Sequence, residues 1–520
     1  MVIEAHRKWE GSEQEKQRIE KENDVLREQI RLLRQKLFGR KSEKYEISPE
    51  EMKALFPGWE EEGKAKEAAR EEVHVESHTR AKTGRKPLPD DLPRIRVEHD
   101  IADEEKVCAC GAELSRIGEE VTEQLDIIPA RYQVIQHVRY KYACKSCQGV
   151  ESDAGAVKIA PVPEQMLPKS LASCRMLAQV MTSKFCDALP FYRQENVFAR
   201  TGIGIGRASM CNWALALHER CQSLEALLVI DALSGPVVGM DETPVQVLDE
   251  QEKPGKKKGK SYMWVIRGGP PGRPAIVYHF SPSRSAEVAK TLLDGYQGVV
   301  QTDGYAGYDF LDTKEGVVHV GCWAHVRRKF METIQAAGGR HGNGKADEAI
   351  RMIRSLYEIE KVAAENSPDE IVAIRQERSK PLLVQFEQWL KDHAHQTPPK
   401  SNLGQAMQYA KSEWPKLVKY IENGHIRIDN NLTENAIRPF VVGRKNWLFS
   451  KSPEGAKASA FFYSIIETAK ANGLEPFSYL TALFERYPMA KTIDEIKALL
   501  PQHIDRTNIA AYHRNNVSVQ

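Results

Sequence analysis

Three carboxylates in well-separated segments of the chain could together hold divalent metal ions. Asp241 lies inside an apolar run, Asp303 follows another, and Glu434 comes after a turn, at the start of a helical pattern. Two metal ions about 4 Å apart can activate the attacking oxygen of a phosphodiester reaction and stabilise the leaving oxygen. Magnesium needs carboxylates for this, not thiolates or imidazoles. These acids therefore indicate phosphoryl transfer chemistry.

Each acid also has a purely structural interpretation. Asp241 could simply end a buried strand, and Asp303-Gly304 is a common turn dipeptide. Asn431, with Glu434 three residues later, makes a capping-box-like pattern at a helix start. Basic residues follow in the same segment and would suit contacts with DNA phosphates; they are Arg438, Arg444 and Lys445.

Two tight pairs of cysteines could bind a second kind of metal. Four thiolates suit a tetrahedral structural zinc ion, and the pairs are Cys108 with Cys110 and Cys144 with Cys147. Residues 131–142 between the pairs have a strand-like pattern. A knuckle of about 50 residues has too small a core to fold without its metal. The first pair is C-x-C rather than C-x-x-C, and four free buried cysteines remain the alternative.

The acids need a scaffold, and the pattern around them predicts one. Strands are expected at Val237–Leu248, Tyr262–Arg267, Ala275–Ser281, 298–304 and 316–321, and helices at Ser285–Tyr296 and Trp323–Ala337. Three strands, a helix, a strand and a further strand-to-helix unit form the order of a ribonuclease-H-like core. Acids on the first and fourth strands of such a core would stand side by side.

The segments before this core carry several candidate DNA contacts. A heptad pattern over residues 15–44 predicts a basic helix that dimerises or packs on its own chain. The Pro- and charge-rich stretch after it is typical of a tether whose Gly-Arg-Lys-Pro segment could lie along DNA. A helix ending near Gly202 and another starting near Ser209 outline either a helix-turn-helix or a plain helical hairpin. The basic candidates are Arg34, Arg40, Lys41, Arg85, Lys86, Arg200 and Arg207.

Composition narrows the class of protein. The 520 residues contain 74 Lys and Arg against 72 Asp and Glu, a net charge of +2, which excludes a uniformly basic nucleic-acid coat. No apolar run reaches the roughly 18 residues of a membrane span, and the N-terminus lacks an apolar signal core. We therefore expect a cytoplasmic bacterial protein with no membrane partner. The five cysteines outside the two pairs are interpreted as small core residues.

Several long motifs resemble those of insertion-sequence transposases of the IS66 family, in particular the large catalytic subunit. They are Leu37-Phe-Gly-Arg-Lys-Ser-Glu43, Cys108-x-Cys110-Gly111 with Cys144-x-x-Cys147, Gly239-Met-Asp241-Glu-Thr-Pro-Val, Thr302-Asp303-Gly-Tyr-Ala-Gly-Tyr308, Gly321-Cys-Trp-Ala-His-Val-Arg-Arg-Lys-Phe330, Asp429-Asn-Asn-x-x-Glu434-Asn-x-Ile-Arg-Pro-Phe and Ala469-Lys-Ala-Asn-Gly-Leu-Glu-Pro476. The resemblance runs from about residue 25 to 495.

The resemblance implies a DDE recombinase. Its catalytic triad would fall on Asp241, Asp303 and Glu434 with magnesium or manganese, and Asp429 is a rival for the third ligand. The metal would activate water to free a 3′ hydroxyl at an element end, and that hydroxyl would then attack target DNA. His325, Arg327 and Arg328 would contact DNA or support the site, or form an ordinary charged helix face. Double-stranded DNA, a second copy of the chain and accessory proteins of the same element are the expected partners.

The expected fold is a multidomain α/β chain. A basic heptad helix (residues 1–50) and a charged linker (51–97) precede a zinc-binding domain (98–150) and a helix-turn-helix-like region (151–228). A ribonuclease-H-like DDE domain (229–450) with a helical insertion (about 331–425) and a C-terminal helical region (451–520) follow. Two other functions stay open: a DNA-binding regulator or end-binding protein with an inactive core, and a structure-selective nuclease that cleaves without joining.

Overall fold

The computed structural model describes residues 72–75, 78–81, 94–100, 118–126, 132–143, 157–251, 260–336, 342, 344–507 and 509. The chain divides into one compact unit of residues 57–163 with 513–520 and a larger one of residues 1–56 with 164–512. The predicted heptad helix lies outside the described residues. So do five candidate DNA contacts and the four paired cysteines: Arg34, Arg40, Lys41, Arg85, Lys86, Cys108, Cys110, Cys144 and Cys147.

Two short antiparallel hairpins are described in the smaller unit. Strand β1 (Glu72–Val75) pairs with β2 (His78–Ala81), and β3 (Lys141–Ala143) pairs with β4 (Val157–Ile159). The strand predicted over residues 131–142 is wrong for 132–140, which have no strand structure and are exposed. Their side chains favour a strand, but β propensity reflects packing against neighbouring strands and burial, and these residues are not buried.

A five-stranded mixed sheet forms the centre of the larger unit. Its strands are β5 (Val237–Val245), β6 (Ser261–Gly268), β7 (Ala275–Ser281), β8 (Gly298–Gln301) and β9 (Val317–Val320). Their order across the sheet is β7-β6-β5-β8-β9. The first three strands run antiparallel to one another, whereas β8 and β9 run parallel to β5. The five predicted strands are confirmed, although β8 ends before Asp303.

Fifteen α-helices are described. They are α1 (Cys174–Phe185), α2 (Phe191–Arg200), α3 (Arg207–Arg220), α4 (Gln222–Ala232), α5 (Leu248–Gln251), α6 (Ala286–Leu292), α7 (Trp323–Ala336), α8 (Lys345–Ala363), α9 (Pro368–Ile374), α10 (Lys380–Ala394), α11 (Asn402–Leu417), α12 (Asn431–Trp447), α13 (Pro453–Ala471), α14 (Pro476–Arg486) and α15 (Ile493–Lys497). The predicted helix ending near Gly202 and the helix that follows it are confirmed by α2 and α3. No helix in the described segments is long and apolar enough to cross a bilayer.

The predicted helical insertion consists of α8 to α11 and packs against α7. Within the insertion, a π-helical turn at Arg375–Ser379 separates α9 from α10. Arg375 is buried there, where it forms two hydrogen bonds with Glu360 and donates to three backbone carbonyls. An aromatic cluster joins α7, α10 and α11: the Phe386 and Trp414 rings stack on each other, and Trp323 meets both of them edge-on.

Helix α13 covers the outer edge of the sheet. The amides of Ile276 and Tyr278 on β7 donate to Thr468 and Ser464, at 2.9 and 2.8 Å. Asn472 donates to the Pro274 carbonyl at 2.8 Å. Four helical residues rise about 6 Å, and two strand residues rise about 6.6 Å. Side chains four residues apart on α13 therefore match amides two residues apart on β7. These bonds satisfy backbone N–H groups that an uncovered edge strand would expose to solvent.

Candidate active site

The parallel pairing of β5 with β8 sets the relative position of two of the predicted acids. Gly239 is the partner of Gln301 in that register. Asp241 and Asp303 each come two residues later, toward the carboxyl ends of neighbouring parallel strands about 4.8 Å apart. The two acids therefore lie side by side, Asp241 within β5 and Asp303 just beyond the end of β8. The sequence pattern expected them side by side on the first and fourth strands, but Asp303 follows the fourth strand instead of lying in it.

The start of α12 is fixed against β5 beside Asp241. The Asn430 side chain donates to the carbonyl of Met240 at 3.0 Å. A β-carbon at Gly239 would lie 2.0 Å from the Thr433 hydroxyl oxygen and 2.7 Å from Asn430 Oδ1. Only glycine permits this approach. The contact brings the first turn of α12, and with it Glu434, to the strand that carries Asp241.

Two residues of α7 contact Glu434 from the other side. Arg328 donates to Glu434 Oε2 at 3.1 Å, and His325 Nδ1 lies 3.5 Å from Oε1. His325 Nδ1 and Glu434 Oε1 are both shielded from solvent, and neither has a hydrogen-bond partner. Burial lowers the pKa of His325, although the charge on Glu434 opposes this shift. The imidazole is therefore biased toward its neutral form.

The predicted acids act on one another electrostatically. Burial raises the pKa of Asp241 well above its usual value, and the charges of Glu242, Glu434 and Asp303 raise it further. Such a concentration of negative charge is stabilised by a divalent cation, and carboxylate oxygens are the ligands that magnesium or manganese prefers. The chemistry of these donors suits a hard divalent metal, whereas the one trio of described residues whose ligand atoms lie within 4.8 Å of one another is Cys322, His325 and Glu434.

Glu242 points away from its neighbour Asp241, as alternation along a strand requires. Its side chain is 1% exposed and pairs with Arg284, and Tyr308 donates a hydrogen bond to it. The Arg284 guanidinium lies 3.7 Å from the centre of the Tyr305 ring. The Asp-Glu pair on β5 is therefore split between the site and a supporting ion pair, which the sequence analysis did not identify.

The loop that carries Asp303 is held by its own hydrogen bonds. Asp303 Oδ1 accepts from the Tyr305 amide at 3.0 Å. The preceding residue, Thr302, is buried, and its hydroxyl oxygen lies 2.8 Å from His319 Nε2. The other ring nitrogen of His319, Nδ1, lies 2.7 Å from Asp312 Oδ1. His319 Nδ1 donates to the Asp312 carboxylate, burial lowers the pKa of the His319 ring, and the Thr302 hydroxyl donates to the carbonyl of Asp303 at 2.9 Å. This buried chain supports the backbone next to Asp303.

Asp429, the rival for a third metal ligand, is occupied by other contacts. Its carboxylate accepts hydrogen bonds from Tyr357 at 2.9 Å and from the amide and side chain of Asn431. The capping-box interpretation of Asn431 and Glu434 is wrong. Asn430 is the N-cap of α12 and makes no side-chain cap bond, because the Asn431 side chain donates to Asp429 and the Asn430 side chain donates to β5.

The basic candidates lie in three groups. Arg327 and Arg328 are near the start of α7, and Arg327 lies 5.7 Å from the Tyr357 ring centre. On α12, Arg444 donates to Thr243 at 3.2 Å; Arg438 is half-buried and Lys445 is exposed. Arg200 and Arg207 are exposed at the turn between α2 and α3, and no contact among the described residues joins them to the acids.

One neighbour of the acids was missed by the sequence analysis. Cys322 was interpreted as a core cysteine, and it is buried, but its sulfur lies with His325 and Glu434. One ligand atom from each of these three residues lies within 4.8 Å of the other two, and they form the one such trio found among the described residues. The Cys-x-x-His spacing at a predicted helix start was the available signal.

Comparison with known families identifies the chain. Residues 169–458, which include all three acids, match the model of the IS66 family transposase. The chain belongs to the IS66 transposase family. Three further models of this kind match: the homeodomain described for transposase C of IS166 (residues 25–97), the zinc-finger binding domain of the IS66 transposase (105–148) and the IS66 C-terminal element (464–502). The four paired cysteines fall inside the zinc-finger match.

Curated relatives of the IS66 chain come from Sinorhizobium fredii. The protein y4jD is 32% identical over 428 residues, covering 80% of this chain and 81% of its own length. The protein y4qI is 30% identical over 448 residues, which are 82% of this chain and 80% of y4qI. The protein y4hP is 29% identical over 514 residues, which are 95% of this chain and 89% of y4hP. The similarity to y4hP thus extends over nearly the whole transposase.

Proposed function

We propose that this chain is a DDE-type DNA transposase that hydrolyses the phosphodiester at an element end and joins the freed 3′ hydroxyl to target DNA. The β5–β8 register carries the proposal, because it sets Asp241 and Asp303 two residues beyond a paired position. The strand order β7-β6-β5-β8-β9 supports a ribonuclease-H-like core. The family match supports a transposase role.

Asp241, Asp303 and Glu434 would hold magnesium or manganese. The metal would activate the attacking oxygen and stabilise the leaving oxygen of an in-line displacement. Arg328 would orient Glu434 through its bond to Oε2. The hydrogen bond from the Tyr305 amide would hold the Asp303 carboxylate in place. The hydrogen bond from the Asn430 side chain to the Met240 carbonyl would keep Glu434 beside Asp241.

DNA would approach the side of the site where basic residues lie. Arg328 is 39% exposed, so it can contact a phosphate while still bonded to Glu434. His325, Arg327, Arg438, Arg444 and Lys445 are proposed as further contacts or supports in this region. Arg200 and Arg207, with the N-terminal segments, would bind the terminal repeats, and Cys108, Cys110, Cys144 and Cys147 would hold a structural zinc ion. Two ends must be brought together, so the active form would be at least a dimer.

The test is strand transfer in magnesium with labelled duplexes copied from the DNA that flanks the gene. Wild type, Asp303→Asn and Asp294→Asn are compared; Asp294 is an exposed acid just before β8 and serves as the matched control. We expect joined product from wild type and Asp294→Asn but none from Asp303→Asn, with duplex binding unchanged in all three. The neighbouring gene products are added in a parallel set.

Three results would contradict the proposal. Joined product from Asp303→Asn would remove that residue from the metal site. Cleavage by wild type without joining would indicate a structure-selective nuclease. Duplex binding with no cleavage, even with the neighbouring gene products present, would indicate an end-binding regulator.

A further inference from the structure

A second cluster of metal-ligating side chains lies at the junction where α7 and α12 begin. Cys322 lies between β9 and α7 and is 2% exposed. His325 lies in the first turn of α7, three residues later and so on the same face of the helix. Glu434 approaches both from the first turn of α12. Three different kinds of metal-ligating atom therefore meet at one point: sulfur, imidazole nitrogen and carboxylate oxygen.

The distances suit a small tetrahedral ion. The ligand atoms of Cys322, His325 and Glu434 all lie within 4.8 Å of one another, and the His325 Nδ1 to Glu434 Oε1 distance is 3.5 Å. Ligands of a tetrahedral zinc ion stand about 3.3–3.8 Å apart, given bonds of about 2.0–2.3 Å. A closure of about 1.3 Å or less would therefore complete a three-ligand site with one open position.

The nitrogen and the oxygen also lack other partners. His325 Nδ1 and Glu434 Oε1 are both shielded from solvent and make no hydrogen bond. Arg328 bonds to the other carboxylate oxygen, Oε2, and so leaves Oε1 directed at this junction. Cys322 Sγ accepts a hydrogen bond from the Asn430 amide at 3.2 Å; burial raises the pKa of this thiol, and the hydrogen bond opposes that shift.

We propose that Cys322, His325 and Glu434 form a binding site for zinc or a similar thiophilic divalent ion, and that its occupation inhibits the transposase. Zinc binding releases the thiol proton of Cys322 to solvent and forms bonds to sulfur, nitrogen and oxygen. Magnesium does not compete for such a set, because it requires oxygen ligands. Glu434 is shared with the proposed catalytic metal site, so zinc withdraws it from catalysis. The inhibitory part of this proposal rests on the proposed function.

The binding part is tested by counting zinc. Full-length wild type, Cys322→Ala and Cys221→Ala are equilibrated with zinc and freed of excess by gel filtration, and zinc is measured per chain. Cys221 is fully buried but lies before α4, so its variant controls for loss of a buried cysteine. We expect wild type and Cys221→Ala to retain one zinc ion more than Cys322→Ala. Equal counts would overturn the site and leave Cys322, His325 and Glu434 as neighbouring side chains that bind no zinc.

The inhibitory part is tested by adding zinc to strand transfer in magnesium. Each variant is compared with its own activity in the absence of zinc. We expect Cys322→Ala to need at least about tenfold more zinc than wild type or Cys221→Ala for half inhibition, as loss of metal ligation implies. Equal sensitivity would overturn the inhibitory role. If Cys322→Ala does not fold, Cys322→Ser replaces it in both measurements. The zinc count needs no activity, so failure of the proposed function would not be mistaken for failure of this site.

Discussion

The Thr433 hydroxyl lies only 2.0 Å from the position that a β-carbon on Gly239 would take. The start of α12 therefore reaches β5 only because residue 239 has no side chain. Gly239 is two residues before Asp241, and Thr433 is next to Glu434. One close backbone approach thus sets the distance between two acids that are far apart in the sequence.

We expect Gly239→Ala to abolish strand transfer. The added methyl group would push α12 away from β5, and displacing a catalytic group by about 1 Å costs about 100-fold in rate. Overpacking of this kind should also reduce the free energy of unfolding by about 1–3 kcal/mol. Activity and urea unfolding are measured beside Gly204→Ala, whose new β-carbon would meet no atom within 4 Å. Full activity of Gly239→Ala would show that α12 is not fixed by this contact.

Asp241→Asn should stabilise the metal-free protein at neutral pH. The pKa of Asp241 is raised by burial and by the neighbouring acids, so above the usual aspartate pKa of about 4 the folded chain binds more protons than the unfolded chain. Wild-type stability then falls as pH rises through this window. The thermal midpoint in chelator should be higher for Asp241→Asn than for wild type at about pH 7.5, with a smaller gap at about pH 5. Magnesium should raise the midpoint of wild type only. A gap that does not depend on pH would contradict this explanation.

Lys184→Met should also stabilise the fold. Burial lowers the pKa of Lys184 to about 8, and its ammonium lies 4.4 Å from the Phe191 ring centre. The charged form is therefore penalised in the folded state at pH 7, and this penalty disappears as pH rises from about 8 toward the unfolded value near 10.4. Since cation–π contacts offset part of the penalty, we expect a gain of about 1–2 kcal/mol at pH 7 and less at about pH 9.5. Lys290→Met, at an exposed site, should change little at either pH.

Arg375→Met should destabilise the helical insertion. The guanidinium is 3% exposed and paired with Glu360, and its removal would leave that carboxylate and three carbonyls without their donor. Breaking a buried pair in this way costs about 3–5 kcal/mol. Arg378→Met lies in the same π-helical turn but is exposed, so it provides the matched control. Urea unfolding followed by tryptophan fluorescence would report the loss, because Trp389 and Trp414 lie in the insertion. Equal stability of the two variants would show that the bonds from Arg375 to Glu360 and to the three carbonyls do not stabilise the insertion.

Local patterns were sufficient to predict the strands. Strand β7 has the predicted bounds because its apolar run ends at turn-forming residues on both sides. Strand β8 is shorter than predicted. It ends at Gln301, and the Asp303 side chain then bonds to the Tyr305 amide, an Asx-type turn that apolar periodicity does not reveal.

The contacts that build the candidate site could not be predicted in this way. The bond from Asn430 to Met240 joins residues 190 positions apart, and its existence depends on how α12 packs. Cys322 has the burial expected of a core cysteine, but burial alone does not indicate that an imidazole and a carboxylate lie beside its sulfur. The sequence motifs identified the candidate residues, whereas tertiary packing determined which side chains those residues contact.

The bonds between α13 and β7 have a consequence for the order of protein synthesis. Ile276 leaves the ribosome 192 residues before Thr468, its partner on α13. At about 5–20 residues per second, the outer edge of β7 waits on the order of 10–40 s for its cover. During that time two nascent chains can pair through their open edges. A chain that stops before α13 would keep this edge permanently, so it would aggregate rather than persist as a soluble fragment.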